Sequence, residues 1–435
     1  MPIDKGKFPL GEAMSTQALP AASEDNPVVR EGELRYLARQ PILNQRGQVH
    51  GYELLFRTGL ENFFRGGDLE MASRTVVDDA VLFGLEELSQ GLPAFVNCTA
   101  EVLTGELAGV LPPPLTVLEI LETVEPTPAL IAACRNFKAQ GYRIALDDFV
   151  WGAKSAPLVG LADYIKIDFL GSTPDERELA IRQLKGTAAK LVAEKVETAE
   201  DHRQAVKEGF SLFQGYYFCR PVMLEKRKIP ANTLFHLEIL QQLLNDPLDL
   251  HRLSPLVKSD ASLTYRLLRL VNSAGYGIRQ EVRSIQSAIV IVGEDAFRRL
   301  ATLAIASELN AGQPAEVLHM ALIRARFCEL AAPLEQQNPT EQYLLGLFSL
   351  LPAMLQVPME QVAPMLPLRV QIRDSLRGAD VPEHRLLAWL EAHERGDWEA
   401  SDAIVTQDRL NREMLFRFYA EAIRWSAEVI RSATM

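Results

Sequence analysis

The sequence predicts a multidomain protein, in which a (β/α)8 TIM-like barrel is followed by an all-α domain. In the first half, short apolar segments alternate with amphipathic helical patterns at roughly 30-residue intervals, the rhythm of strand–helix units. In the second half, apolar residues recur with the helical period of about 3.6 residues. The chain has 435 residues, 48% of them hydrophobic and 23% charged, which is enough to bury the cores of two or three domains.

Eight apolar segments between residues 36 and 221 are the predicted barrel strands. In chain order they read YLARQPIL, GYELLF, AFVNCT, TVLEIL, RIALDDF, YIKIDF, KLVAEKV and SLFQGYYF. A barrel of this kind typically takes about 250 residues, so one or two units must be short or irregular. We assign the barrel to residues 34–225. Residues 1–33 are rich in Pro, Ala, Ser and charge without apolar periodicity, which predicts a flexible tail.

The last strand pattern is followed by a basic, polar stretch, which we assign as a linker at residues 226–232. From 233 to 435 the helical period dominates, as in LFHLEILQQLLND, LTYRLLRLVNSAG and VLHMALIRARFCELAAPL. We therefore expect residues 233–435 to form the helical domain.

Charge and composition exclude several classes of function. The formal net charge of −12 argues against nucleic acid as a partner, because non-specific nucleic-acid binding usually needs a basic face. The four cysteines form no CxxC pair, and the N-terminus lacks an export pattern, so we expect a reduced, cytoplasmic protein. No window reaches the roughly 18 apolar residues of a membrane span, so we expect no membrane association.

Side chains that bind cations or handle protons end most of the predicted strands. They are Glu53, Asn97, Glu119, Asp147 with Asp148, Lys166, Glu194 and Gln214. The C-terminal strand ends of a β/α barrel share one rim, where catalytic residues lie. Any one of these acids could instead cap a helix or face solvent. Four or five carboxylates at one rim repel each other, however, and need compensating cations.

The adjacent pair Asp147 and Asp148 indicates where the strand must end. Side chains alternate faces along a strand, so both acids can face one site only where the regular strand stops. Oxygen ligands without His or Cys favour Mg²⁺ or Mn²⁺, and the pair could serve two ions about 3.5–4 Å apart. Such a centre suits attack of water on a phosphodiester, with Lys166 helping to neutralise the phosphate oxygens.

Eight motifs in order resemble the EAL domain, the bacterial cyclic di-GMP phosphodiesterase fold. They are QPI at 40–42, ELLFR at 53–57, VNCT at 96–99, EILE at 119–122, DDFVWG at 147–152, Lys166 with Asp168, AEKVET at 193–198 and QGYYFCRP at 214–221. The resemblance covers residues 36–221. It implies that cyclic di-GMP is the ligand and that Mg²⁺ or Mn²⁺, as two ions, is the cofactor.

The resemblance also implies roles for individual residues. The residues implied to bind the metal ions are Glu53, Asn97, Glu119 and Asp147, with Asp148 as a ligand of the second ion. For catalysis they are Lys166, Glu194 and Asp148. For binding cyclic di-GMP they are Arg57, Gln40, Leu55, Gln214 and Pro221, and Glu122 is the acid that anchors the loop after the paired aspartates.

Departures from the EAL motifs keep two hypotheses open. Leu54 and Leu121 replace an alanine and a threonine, Val150 with Trp151 replaces a glycine turn, and Lys195 replaces a glycine. Losing glycine removes backbone conformations that the loop after Asp148 needs to position the second ion. The barrel either hydrolyses cyclic di-GMP to the linear dinucleotide pGpG, or serves as a receptor or scaffold. A Trp151 ring lying in front of Asp147 would favour the receptor or scaffold.

The helical half resembles the HDOD domain, an output or interaction module related to HD phosphohydrolases. The segments that carry the resemblance are LVKSDASLTYRLLRLVNSAGYG and SIQSAIVIVGEDAFRRLATLAIAS, and together with the barrel they resemble the bacterial EAL–HDOD class of cyclic di-GMP signalling proteins. No histidine after residue 233 is followed by Asp, so we expect no His-Asp metal site there. The resemblance implies regulation or binding of an unidentified protein partner, and barrels of this family often form homodimers.

Overall fold

The computed structural model describes residues 35–58, 84–105, 107–152, 156–219, 231–243, 248–272, 282, 284–366 and 368–434. The chain from Leu34 onward forms one compact unit. The predicted tail and most of the predicted linker lie outside the described residues.

Eight strands close a barrel in sequence order. They are β1 (Arg35–Asn44), β2 (Val49–Thr58), β3 (Ala94–Cys98), β4 (Thr116–Ile120), β5 (Arg143–Leu146), β6 (Tyr164–Asp168), β7 (Lys190–Glu194) and β8 (Leu212–Gln214). Each strand falls on one of the eight predicted segments, so the TIM-like barrel is confirmed.

One strand departs from the regular (β/α)8 pattern. Strands β2 to β8 run parallel to one another, but β1 runs antiparallel to both β2 and β8. Only residues 45–48 join β1 to β2, with Gly47 at a φ of 72° in the turn. A connection this short makes a hairpin, because a parallel crossover needs a dozen residues or more.

The barrel helices follow the strands, and three of them begin at capping threonines, Thr127, Thr173 and Thr198. They are α1 (Leu85–Ser89), α2 (Ala100–Thr104), α3 (Pro128–Ala139), α4 (Ala156–Val159), α5 (Pro174–Gln183) and α6 (Ala199–Glu208). Thr173 and Thr198 each form a capping box at the start of α5 and α6, with Glu176 and Asp201 as the reciprocal acids. These caps fix where the chain turns back after β6 and β7.

The described residues from 231 to 434 form helices and contain no strand. They are α7 (Ala231–Leu243), α8 (Leu250–Ser259), α9 (Ala261–Val271), α10 (Ile285–Val292), α11 (Glu294–Leu309), α12 (Ala315–Ala331), α13 (Pro339–Phe348), α14 (Leu351–Leu355), α15 (Met359–Val362), α16 (Val370–Leu376), α17 (Arg385–Glu394), α18 (Trp398–Asp408) and α19 (Arg412–Thr434). Within this part of the chain, no single helix is long and apolar enough to cross a membrane, although the bent pair Pro339–Leu355 and Met359–Met365 passes together on length and composition.

The two halves share one apolar core. Leu43 on β1 and Phe218 after β8 belong to the same buried cluster as Leu322, Phe327 and Trp389 of the helical half. The outer face of β1 needs this cover because the β1–β2 hairpin brings no barrel helix of its own. The barrel and the helical domain are therefore packed together rather than separated by a free linker.

A buried polar network crosses the contact between the halves. The Arg39 guanidinium lies 4.5 Å from the centre of the Tyr52 ring, and the Tyr52 hydroxyl donates a 2.9 Å hydrogen bond to Glu316. Arg39 Nη2 lies 3.3 Å from His319 Nδ1, and the Ser426 hydroxyl lies 2.9 Å from His319 Nε2. Burial raises the pKa of Tyr52 well above its ordinary value, so its hydroxyl stays a donor. These bonds stabilise one orientation of α12 on the barrel.

We expect Tyr52→Phe to lower the free energy of unfolding by about 1–2 kcal/mol, because it removes the nearer donor of a buried Glu316 oxygen and leaves only the 3.4 Å contact with His319 Nδ1. Chemical denaturation measures the effect. Tyr265→Phe is the matched control, since Tyr265 is 66% exposed. Equal stability of the two variants would contradict a structural role for this bond.

Candidate functional site

The barrel gathers the predicted polar side chains at one mouth. Asn97 pairs in register with Glu119 across β3 and β4, and Asp168 pairs with Glu194 across β6 and β7. Lys166 on β6 is among the largest fully buried side chains of the protein. Because the carboxyl ends of the parallel strands meet at the same rim, these groups lie around one space.

The Lys166 ammonium is the centre of the site. Its Nζ lies 2.9 Å from Glu53 Oε2, 2.6 Å from Glu194 Oε1 and 3.2 Å from Asp147 Oδ1, and it also pairs with Glu119. Oxygens of Glu53, Glu119 and Glu194 lie within 4.8 Å of one another. Four carboxylates that are far apart in sequence therefore converge on one buried cation.

Amide side chains complete the inner part of the site. Asn97 Nδ2 donates to Glu53 Oε1 at 3.3 Å, and Gln214 Nε2 donates to Glu53 Oε2 at 2.7 Å. The acceptor atoms Asn97 Oδ1, Gln214 Oε1 and Glu119 Oε2 are buried and have no hydrogen-bond partner. Buried acceptors left unpartnered are costly. This donor set, all oxygen and strongly anionic, fits a hard divalent cation.

The turn after β5 lets both neighbouring aspartates face the mouth. The strand ends at Leu146, and Asp148 adopts a left-handed φ of 39°, which Asp tolerates better than most residues. The amide of Phe149 then donates to the Lys166 carbonyl at 2.8 Å. Oxygens of Asp147, Asp148 and Glu194 lie within 4.8 Å of one another, in a second group beside the first.

Burial and mutual repulsion hold protons on part of this cluster. Burial raises the pKa of Glu119 well above its ordinary value, and burial with nearby carboxylates raises the pKa of Glu194 to about 8. Burial opposes ionisation of Asp147 too, but Lys166 and a hydrogen bond from Glu119 lower its pKa overall. The four carboxylates outweigh burial and raise the pKa of Lys166. A cation entering the site must therefore displace protons.

Asp168 and Lys195 extend the site beyond the predicted set. Lys195 Nζ lies 2.6 Å from Asp168 Oδ2 and 3.9 Å from Asp148 Oδ1. The other Asp168 oxygen accepts hydrogen bonds from the amides of Leu170 and Gly171, at 3.0 and 2.7 Å. The sequence signals for these two residues were the lysine–aspartate motif that contains Asp168 and the replacement of a glycine by Lys195.

The helical half reaches two of the residues predicted to bind the ligand. Gln40 Nε2 donates to the Glu394 carbonyl, at the end of α17, at 3.4 Å, and Gln40 Oε1 accepts from Gln214 at 2.9 Å. A Cβ on Gly396 would lie 3.2 Å from Leu55 Cδ1. The end of α17 thus lies against the rim, a contact that local sequence patterns do not predict.

For three other predicted residues, the structure gives little or no information about the predicted role. The side chain of Arg57 and all of Pro221 lie outside the described residues. Glu122 is exposed, and its charge adds to the effects of burial and of Asp147 that raise the pKa of Asp148. Its predicted role as a loop anchor stays a prediction.

The Trp151 ring does not take the central position among the acids. It packs edge-to-face on Phe149, with ring centres 6.3 Å apart, whereas the Lys166 ammonium lies between the carboxylates. The preceding Val150 is 74% exposed. The contact with Phe149 is the described position of this ring, and whether the ring also covers Asp147 stays a prediction.

Among the described residues, both groups that could hold a metal ion lie in the barrel. In the helical half, His236 lies 2.8 Å from Asp260, and the His393 ring stacks on Trp389 at 4.8 Å. These histidines have structural partners.

Comparison with known proteins agrees with this arrangement. The EAL domain family model matches residues 98–221, and the HDOD domain model matches residues 229–365. "Uncharacterized protein YuxH" of Bacillus subtilis is 32% identical over 400 residues, which are 90% of this chain and 97% of the relative. "Cyclic di-GMP phosphodiesterase CdgJ" of Vibrio cholerae is 32% identical over 402 residues, 91% of this chain and 93% of the relative.

Among solved structures, the EAL domain of Mycobacterium smegmatis DcpA is 23% identical with a TM-score of 0.35, covering 42% of this chain and 91% of that domain. The two family models match in order, and the two relatives align along nearly their whole lengths. The chain therefore belongs to the family of proteins in which an EAL domain is followed by an HDOD domain.

Proposed function

We propose that the barrel hydrolyses cyclic di-GMP to linear pGpG with Mg²⁺ or Mn²⁺. The observation that carries the proposal is the convergence of four carboxylates on Lys166, beside buried oxygen acceptors without partners. The name of the Vibrio cholerae relative, a cyclic di-GMP phosphodiesterase, supports the substrate. The excess of negative charge also gives a reason for divalent ions, since Lys166 alone does not neutralise the cluster.

Two overlapping groups of oxygens provide two positions for divalent ions. Glu53, Glu119 and Glu194 form the inner position, with Asn97 beside Glu53, and Asp147, Asp148 and Glu194 form the outer position. Divalent ions bound there supply Lewis acidity toward the phosphodiester oxygens and the attacking water. Glu194 belongs to both groups, and Asp147, which also pairs with Lys166, is assigned as a ligand that bridges the two ions.

Lys166 and Glu194 are the groups we assign to proton and charge handling. The Lys166 ammonium reaches both groups of oxygens and is placed to neutralise charge that builds up on a phosphate oxygen. Glu194, whose Oε1 lies 2.6 Å from the Lys166 ammonium, is placed to accept a proton from the attacking water once a bound cation has displaced its own proton. Asp148 is assigned as a ligand of the ion at the outer position.

We assign the helical domain a regulatory and protein-binding role. Gln214 donates to both Glu53 and Gln40, and Gln40 donates to the Glu394 carbonyl. This chain of hydrogen bonds connects the inner oxygens with the end of α17. A partner that shifts α17 would move Gln40 and with it the support of Glu53. Homodimer formation stays a prediction.

A receptor or scaffold remains the second candidate, favoured by the altered outer side of the mouth. Lys195 stands where the family has glycine, and its ammonium already pairs with Asp168. In that case the protein binds cyclic di-GMP without cleaving it, and its effect is transmitted by the helical domain.

Purified protein with cyclic di-GMP and Mn²⁺ should release pGpG. We expect Glu53→Ala and Glu194→Gln each to lower kcat at least about 100-fold, because each removes an oxygen from the centre. Glu178→Gln on α5 is the matched control, since the Glu178 side chain is 70% exposed. Product formation is followed by chromatography. Binding of cyclic di-GMP by folded protein without turnover would reject hydrolysis and favour the receptor.

The affinity for Mn²⁺ should rise with pH between about 6 and 8. Protons on Glu119 and Glu194 compete with the ion, so affinity increases as they are lost and levels off for Glu194 above its pKa of about 8. Each released proton gives about a tenfold gain per pH unit. Titrations followed by electron paramagnetic resonance measure this, and Glu194→Gln should flatten the slope. A constant affinity would show that neither carboxyl group releases a proton.

A further inference from the structure

We infer that Lys195 is a tethered cation that competes with the second divalent ion, so the inner and outer positions differ in affinity. The inference rests on the proposed function, because it concerns the outer position of that site. It arises from the contact of Lys195 with Asp168 and Asp148, at 2.6 and 3.9 Å.

The backbone directs Lys195 toward the mouth. Lys195 follows the last residue of β7 and has a left-handed φ of 53°, a conformation that favours glycine. Hydrogen bonds fix the chain on both sides: the Glu194 carbonyl accepts from the amide of Phe169 at 3.1 Å, and the amide of Val196 donates to the Gln214 carbonyl at 2.9 Å. The fold therefore imposes this conformation, and the lysine extends from it over the outer acids.

The outer acids keep an acceptor oxygen that Lys195 does not satisfy. Asp148 Oδ1 is buried and has no hydrogen-bond partner, and it lies 3.9 Å from the Lys195 ammonium. Asp147, Asp148 and Glu194 offer oxygens within 4.8 Å of one another. The Lys195 ammonium thus lies near the outer position but does not form a hydrogen bond with Asp148 there.

An ion at the outer position would lie close to the ammonium. Mg²⁺ or Mn²⁺ lies about 2.1 Å from a coordinating oxygen. If Asp148 Oδ1 coordinates it, the ammonium in its present place is at most about 6 Å away. Repulsion between a divalent and a monovalent cation at that distance weakens binding about tenfold even at the dielectric constant of water.

Competition is partial because Lys195 can move. Its side chain is 55% exposed, so it can rotate into solvent when an ion enters, at the expense of its pairing with Asp168. The inner position is different. Its oxygens pair with the buried Lys166, so they should respond little to changes at Lys195.

Mn²⁺ titration of the full-length protein without nucleotide tests the inference. We expect one tight and one weaker class of sites, and we expect Lys195→Gly and Lys195→Gln to tighten the weaker class about tenfold while leaving the tight class unchanged. Lys195→Gly suits the left-handed backbone, so it should fold. Lys195→Arg keeps the cation and should keep the weaker class, and Lys185→Gln on the exposed surface is the control for removal of a charge.

The result is independent of turnover. If both neutral variants leave the weaker class within about twofold of the natural protein, or if Lys195→Arg tightens it as much as they do, the inference is overturned. A protein that shows the expected shift in Mn²⁺ affinity but never cleaves cyclic di-GMP would defeat the proposed hydrolysis and leave the competition by Lys195 standing.

Discussion

The pairing of one buried ammonium with four carboxylates is the constraint on which the barrel mouth depends. Without Lys166, the acids of β2, β4 and β7 would face each other inside a closed barrel with little solvent to screen them. With it, they can converge, but an excess of negative charge and several unpartnered oxygens remain. The barrel mouth thus keeps the acids together and has unpartnered oxygens that can bind a further cation.

The barrel and most of its acidic rim could be predicted because they depend on local patterns. Each strand was visible as an apolar segment, and most of the acids followed from their places near strand ends, although Glu53 lies in the middle of β2. The antiparallel β1 was not predicted, since it depends on the length of one turn. The contact between Gln40 and Glu394 joins residues 354 positions apart, and no local pattern reports it. The direction of the Lys195 side chain depends on a backbone angle that glycine normally adopts.

The packing of the two halves follows from that one irregular strand. Alternation along β1 turns Arg39 toward the helical half, whereas the next residue, Gln40, contacts Gln214 at the mouth. Neighbouring residues thus link the buried network around His319 to the support of Glu53. Strand β1 therefore contacts both the barrel mouth and the helical half. This shared strand is a physical reason for one chain to carry both domains.

The departures from the EAL pattern fall mainly on the outer side of the mouth. Val150 with Trp151 replaces the glycine turn after Asp148, and Lys195 replaces a glycine and lies within 3.9 Å of Asp148, whereas the inner residues Glu53, Asn97 and Glu119 are all present. A site that keeps its inner position and modifies its outer one retains the capacity to hold an ion while making the second ion conditional. Under the proposed function, the choice between cleaving cyclic di-GMP and only binding it then depends on how readily the outer acids exchange Lys195 for a divalent cation.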